Sequence, residues 1–136
     1  MRLLLDTHVL IWLAEGLGEL QPSSRQVIDE AARSHGVAVS AISFWEVAML
    51  DARRRISLSK PIGEWRAQVL SAPGLDEVAV TGAAGIESVH LPGQLHDDPA
   101  DRIIVATARL NGMKLATRDE RLLRYGKAGH VVAISV

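Results

Sequence analysis

Four acidic residues stand where a carboxylate can do chemistry. Asp6 closes the apolar run "RLLL", Glu46 lies in "SFWEVA", Asp101 in "HDDPADRIIVATA" and Asp119 in "LATRDERL". Carboxylates gathered in one place can hold a hard divalent cation or move protons. Each one alone has a plainer use, because helices begin with acids. Asp6 can cap "THVLIWL". Ser43 and Glu46 have the spacing of a capping box, as do Thr117 and Glu120. Asp98, Pro99 and Asp101 read as N-cap, N1 and N3 of one helix. Capping is the commoner role for any single member of the set. The set as a whole weighs differently. Two unit charges about 4 Å apart cost about 4 kcal/mol at an effective dielectric near 20. A helix dipole returns only about 0.3–1 kcal/mol per acid. A cation removes the repulsion, and an all-oxygen donor set selects Mg²⁺ or Mn²⁺ over zinc.

Whether these acids meet depends on the elements that carry them. "RLLLD" (2–6), "VAVS" (37–40), "LDEVAV" (75–80), "MKLAT" (113–117) and "VVAISV" (131–136) read as short buried strands. Helical stretches separate them: 7–16, 23–36, 43–54, 61–72, a glycine-weakened 81–90, 98–112 and 118–126. Continuous apolar strands alternating with helices predict a parallel sheet covered on both faces, within one domain spanning 1–136. Right-handed crossovers then bring the strand C-termini to one edge, where such folds place their sites. All four acids fall at strand C-termini or in the first turns of helices.

Composition narrows the alternatives. The 136 residues carry no cysteine, which removes disulfides and thiolate metal sites and fits a reducing cytoplasm. No segment has the length and apolarity of a membrane span, and "MRLLLDTHVLIWLAEG" is interrupted by Asp6 and His8. With 15 basic and 16 acidic residues the net charge is −1, so any nucleic-acid binding needs a local basic patch. Two clusters qualify, Arg53 to Arg55 and Arg118, Arg121, Arg124 and Lys127, although solvated helix faces explain both equally well. The five histidines show no metal-binding pairing, but His8 and His96 can orient neighbouring acids. No Walker loop or G-x-S-x-G occurs.

Taken in order, "LLLDTHVLIWL", "SAISFWEVAML", "HDDPADRIIVATA" and "LATRDERL" resemble the motifs of PIN-domain proteins, and especially of VapC-type toxins from toxin–antitoxin pairs. The resemblance covers essentially the whole chain. It implies an α/β/α three-layer sandwich around a parallel sheet, and a Mg²⁺- or Mn²⁺-dependent endoribonuclease. It assigns Asp6, Glu46, Asp101 and Asp119 to the catalytic metal site, with Asp6 and Asp101 as direct ligands. Glu46 and Asp119 then complete the site directly or through water, and either can orient the attacking water. Thr117 corresponds to a hydroxyl residue that orders the pocket, and Asp98 caps its helix.

The family often carries a base after the W-E helix start and at the position of Asp97. This chain has Met49, Leu50 and Asp51 at the first and an acid at the second. Arg53, Arg54, Arg55, Arg102 and Arg118 are therefore the candidates for gripping RNA. The implied partners are a VapB-like antitoxin, a second copy of the chain, and DNA only through the antitoxin. Trp12, Trp45, Trp65 and Leu50 are candidate interface residues, with burial in amphipathic helices the plainer reading of the tryptophans. Two other functions remain open. "LLLDTH" also resembles the strand-end aspartate of phosphohydrolases, which usually need a second acid where this chain has His8. A catalytically silent binding module of the same fold is the other.

Overall fold

The computed structural model describes all 136 residues. Five strands form one wholly parallel sheet: β1 (Leu3–Leu5), β2 (Val37–Ser40), β3 (Leu75–Val78), β4 (Lys114–Thr117) and β5 (Ala133–Ser135). Their order across the sheet is β3-β2-β1-β4-β5. The helices between them are α1 (Thr7–Glu15), α2 (Pro22–Ser34), α3 (Ala41–Ala52), α4 (Ile62–Leu70), α5 (Gly82–Val89), α6 (Pro99–Asn111) and α7 (Glu120–Lys127).

Side chains alternate across the pleat and divide the core in two. Leu3, Leu5, Val37 and Val39 face one cluster, with Val9 and Leu10 of α1, Ile28 of α2, Val47 of α3 and Trp65 of α4. Leu4, Ala38 and Leu115 face the other, with Ile104 and Val105 of α6 and Leu122 and Tyr125 of α7. The register agrees, since Leu4 pairs with Leu115 and Leu5 with Ala116. Helices thus cover both faces, as the continuous apolar strands predict, in a three-layer α/β/α sandwich.

The strand order has one consequence for function. From β1 the chain steps outward to β2 and β3, then returns to place β4 on the other side of β1. The connections therefore diverge between β1 and β4, and a crevice opens above their C-terminal ends. Asp6 and Thr117 are the residues at those two ends.

Two capping assignments differ from the sequence reading. β2 turns directly into α3, so Ser40 is the N-cap, with its Oγ 3.2 Å from the amide of Ile42. Ser43 is left free for another use. For α7 the N-cap is Asp119, which accepts from the amides of Arg121 and Leu122. Thr117, still in β4, faces the crevice instead. β3 stops at Val78 because its partner β2 ends at Ser40, paired with Val78. Elsewhere the signals agree. Asp6 caps α1 and Asp98 caps α6, which has Pro99 in its first turn. Gly16 and Gly112 end those helices at φ 65° and 61°. The tryptophans split: Trp65 is buried and Trp12 half-buried, but Trp45 is 53 % exposed and leaves the core. Its neighbours Phe44 and Val47 supply the buried side of α3 instead.

Gly74 has φ +78°, and a Cβ there would run into the carbonyl of Ala32, whereas Gly16 at φ +65° has open space around it. Gly16→Ala is expected to cost about 1–2 kcal/mol from the left-handed backbone alone. Gly74→Ala carries the same backbone cost plus the collision, so its loss in urea unfolding should exceed that of Gly16→Ala.

Candidate metal and nucleic-acid site

Asp6 sits at the crevice with only 6 % of its surface exposed. Its Oδ1 accepts from the amide of Thr7 at 2.9 Å, and its Oδ2 accepts from the Thr117 hydroxyl at 2.7 Å. The same Thr117 oxygen accepts from the amide of Asp119 at 3.0 Å, which joins the end of β4 to the start of α7. On the other side, the Thr7 hydroxyl donates to Ser43 Oγ at 2.9 Å and ties α1 to α3. These buried hydroxyls lock together the ends of β1 and β4 and the first turns of α1 and α3.

Around them lies a cavity of about 280 Å³. Asp6, Glu46, Asp98, Asp101 and Asp119 line it, together with His8, Arg118 and Arg121. All four acids expected from the sequence therefore share one cavity. Their electrostatics differ. Burial pushes the Asp6 carboxyl above its usual range against the pull of its hydrogen bonds. Burial also raises Glu46, and the charges of Asp98 and Asp6 add to the effect. Asp101 is pushed up to about 6, mainly by burial, with further contributions from Asp6 and Asp98. Asp119 goes the other way, down to about 2, because Arg121 hydrogen-bonds both of its oxygens, at 3.2 and 2.8 Å.

Crowded, desolvated carboxylates with raised pKa values are short of positive charge. Glu46 shows this most directly, since its Oε1 is buried with no hydrogen-bond partner. A buried, unpaired acceptor costs free energy that a cation would recover. The donor set is all oxygen and suits a hard divalent ion. No three of the acidic and histidine side chains stand close enough together to hold an ion as they are now arranged. Asp119 is already engaged, with Arg121 bonded to both of its oxygens. The residues thus fit a divalent cation in donor chemistry and line one cavity, and holding the ion would require the carboxylates to draw together.

His96 holds one of these acids from outside the cavity, with Nε2 2.6 Å from Asp101 Oδ2. The sequence marks His96 as able to orient an acid, and it orients Asp101. Arg121 and Ser43 are the residues that sequence reasoning assigned elsewhere. Arg121 reads as part of a solvated basic face and Ser43 as a cap. The triplet Asp119-Glu120-Arg121 was the available signal for the first.

The proposed RNA-gripping arginines scatter. Arg118 borders the cavity, with its guanidinium 4.5 Å over the Trp12 ring. Arg102 donates to the carbonyls of Ser88 at 2.8 Å and Leu95 at 2.9 Å, so its N–H groups hold the loop before α6. Arg53, Arg54 and Arg55 are exposed beyond the last turn of α3 and do not line the cavity. Seven residues separate Glu46 from Arg53, roughly 10 Å along the helix axis.

The model of the PIN domain matches residues 3–128. The chain belongs to the PIN-domain family. This PIN domain is 38 % identical over 119 residues to Ribonuclease VapC22 of Mycobacterium tuberculosis, covering 88 % of each chain. Its fold is similar to VapBC2 from Rickettsia felis, solved bound to a promoter DNA fragment, with a TM-score of 0.72. That match covers 99 % of this chain and 98 % of that one at 13 % identity. A toxin–antitoxin complex from Klebsiella pneumoniae matches with a TM-score of 0.60 at 23 % identity, over 88 % of each chain.

Two outcomes follow from the site's hydrogen bonds and burial. Thr117→Val keeps the shape but strips Asp6 Oδ2 of its donor and the Asp119 amide of its acceptor. It should lower stability by about 1–3 kcal/mol in chemical denaturation, with Thr117→Ser milder. The second concerns Asp101, whose folded-state pKa of about 6 lies above the ordinary 3.8. The folded form binds this proton more tightly than the unfolded form, so Asp101's contribution to stability falls as pH rises from about 4 through about 6. Asp101→Asn escapes that loss. In chelator its melting temperature should exceed that of wild type above pH 6, and the difference should vanish near pH 4.

Proposed function

We propose that the protein is a VapC-type toxin, an endoribonuclease dependent on Mg²⁺ or Mn²⁺ and restrained by an antitoxin. The observation that carries this reading is the shared cavity of Asp6, Glu46, Asp101 and Asp119, with its unpaired Glu46 oxygen. The likeness to a named ribonuclease, Ribonuclease VapC22, supports the choice of RNA as substrate. The toxin–antitoxin complexes among the similar folds support the partner. Pairing with a second copy and contact with DNA through the antitoxin are part of the same reading.

Asp6 and Asp101 would hold the cation, and Glu46 and Asp119 would complete the site directly or through water. A divalent ion so held lowers the pKa of a water and neutralises charge on the phosphate under attack. The chain's own residues divide the remaining work. Thr117 and the Thr7 amide fix the carboxylate plane of Asp6. His96 fixes Asp101 from the other side. Glu46, with one oxygen unpaired and its pKa raised, is better suited to accept a proton from the attacking water than Asp119, whose pKa Arg121 depresses. Arg118, which lines the cavity, would stabilise charge developing on the phosphate oxygens. In-line attack by water would break the bond from phosphorus to the 3′ oxygen, which takes a proton from solvent, leaving a 5′-phosphate and a 3′-hydroxyl.

The aspartates of "HDDPAD" rank the test. Asp6→Asn and Asp101→Asn should each lower Mg²⁺-dependent cleavage of single-stranded RNA by at least about a hundredfold, while circular dichroism shows the fold intact. Asp98→Ala should mainly cost stability, about 1 kcal/mol from the lost cap. Asp97→Ala should change neither much. Full activity in Asp6→Asn or Asp101→Asn would overturn the assignment. Mg²⁺ should also raise the melting temperature of the wild-type chain and do so less for Asp6→Asn.

A further inference from the structure

The acidic cavity has a basic neighbour. A second cavity, of about 810 Å³, opens between residues 93–97 and α7. His96, Arg102, Arg121, Arg124 and His130 line it, and Asp97 is its single acid. Its walls are built rather than incidental. The Tyr125 hydroxyl donates to the Pro92 carbonyl, and Arg102 donates to the Leu95 carbonyl. Gly93, at φ +68°, lies so close to the His130 ring that a Cβ there would force the imidazole to shift. The loop is thereby pinned to α6 and α7.

The two cavities share a wall. Arg121 lines both and is held by Asp119. His96 borders the basic cavity while its Nε2 binds Asp101. The cations of the second cavity are unequally free. The Arg121 guanidinium is taken by Asp119 and that of Arg102 by backbone carbonyls. Arg124 is exposed and enters none of the five ion pairs of the chain.

This pairing of cavities suits a polyanion lying across both. A phosphodiester under attack belongs at the acidic cavity, where a cation would neutralise it. The phosphates beside it lie beyond that cation and need positive side chains. The cavity's one carbocyclic ring, Tyr125, is buried, so the groove offers charge rather than a stacking surface. Charge without base contacts holds backbone and carries little sequence preference. We propose that the cavity between residues 93–97 and α7 seats the sugar–phosphate backbone of the RNA on one side of the cleaved bond, with Arg124 as its free cation. The assignment rests on the ribonuclease reading above. It also accounts for a basic surface in a chain of net charge −1.

The test is fluorescence anisotropy with a single-stranded RNA of about 12 nucleotides. The protein carries Asp101→Asn to prevent cleavage, and the salt concentration is varied. Adding Arg124→Ala should weaken binding about five- to tenfold and make the log–log salt dependence shallower by about 0.7. Arg124→Glu should weaken binding further, and Arg33→Ala on α2 should leave affinity and slope as they were. Melting temperatures establish that the variants are folded. Unchanged affinity and slope in Arg124→Glu, for an RNA that the wild-type chain cleaves, overturn the groove and leave the ribonuclease reading standing. Retained RNA binding with lost antitoxin binding reassigns the groove to an acidic protein segment and overturns the proposal equally. If the wild-type chain cleaves no RNA in Mg²⁺, the ribonuclease reading fails and takes the groove with it.

Discussion

The site depends on burying the carboxylate of Asp6 at the end of β1. A buried carboxylate is tolerated only when its oxygens are satisfied. Asp6 is satisfied by one amide of its own helix and by one hydroxyl that lies 111 residues away in sequence. The second bond forms only if β4 lies beside β1 in the observed register, with Leu5 opposite Ala116. A shift of one residue would turn Thr117 toward the opposite face and leave Asp6 Oδ2 without a donor. The hydrogen bond therefore ties the topology of the sheet to the geometry of the site. It also explains why the crevice is polar at its floor although the strands beneath it are wholly apolar.

From that floor the acids acquire different characters through their neighbours alone. Asp6, Glu46 and Asp101 have raised pKa values because burial withholds water, and for Asp101 this outweighs the hydrogen bond from His96. Asp119, similar in type and in position, is lowered because α7 brings Arg121 onto it. Three acids are thus left short of positive charge, and one is already supplied. Placing Arg121 on that one acid keeps a guanidinium at the rim without neutralising the pocket. A guanidinium on Asp6 or Asp101 would occupy the oxygens that a cation needs.

Much of this was legible in the sequence because the signals were local. Continuous apolar runs marked the buried parallel strands, and the glycine and proline positions bounded α1 and α6 to within a residue or two. The chain order of the acids, each at a strand end or in a helix's first turns, implied a shared edge. The PIN-domain resemblance supported the same four residues. What was not legible depended on contacts between distant segments. Ser43 has ideal capping-box spacing from Glu46, yet β2 enters α3 without a loop and Ser40 takes the cap. Ser43 is then available to Thr7, 36 residues earlier. Thr117 and Glu120 mislead in the same way, because Thr117 is claimed by Asp6 across the sheet. Trp45 reads as core by hydropathy, but α3 turns Phe44 and Val47 inward instead. A local pattern proposes a partner, and the tertiary structure can offer a better one.

Arg102 shows the same limit for charge. Its place beside Asp101 makes it a candidate for RNA, but the loop before α6 has carbonyls that no strand or helix satisfies, and a guanidinium has five donors to offer them. Holding that loop fixes His96, and His96 in turn fixes Asp101. Arg102 thus acts on the acid through two intermediaries while its charge still lies on the basic cavity. Net charge misleads for a related reason. At physiological ionic strength, fields decay over about 8 Å, so a polyanion meets the local surface and not the sum over the chain. An acidic pocket and a basic groove on one small molecule cancel in the total of −1. They do not cancel for a strand that touches both. Separating the signs also avoids a conflict inherent in cleaving a polyanion with carboxylates, because the acids that would hold a cation repel every phosphate the cation does not neutralise. Setting the arginines on α7 and the acids at the β1–β4 crevice lets the flanking phosphates lie away from the acids.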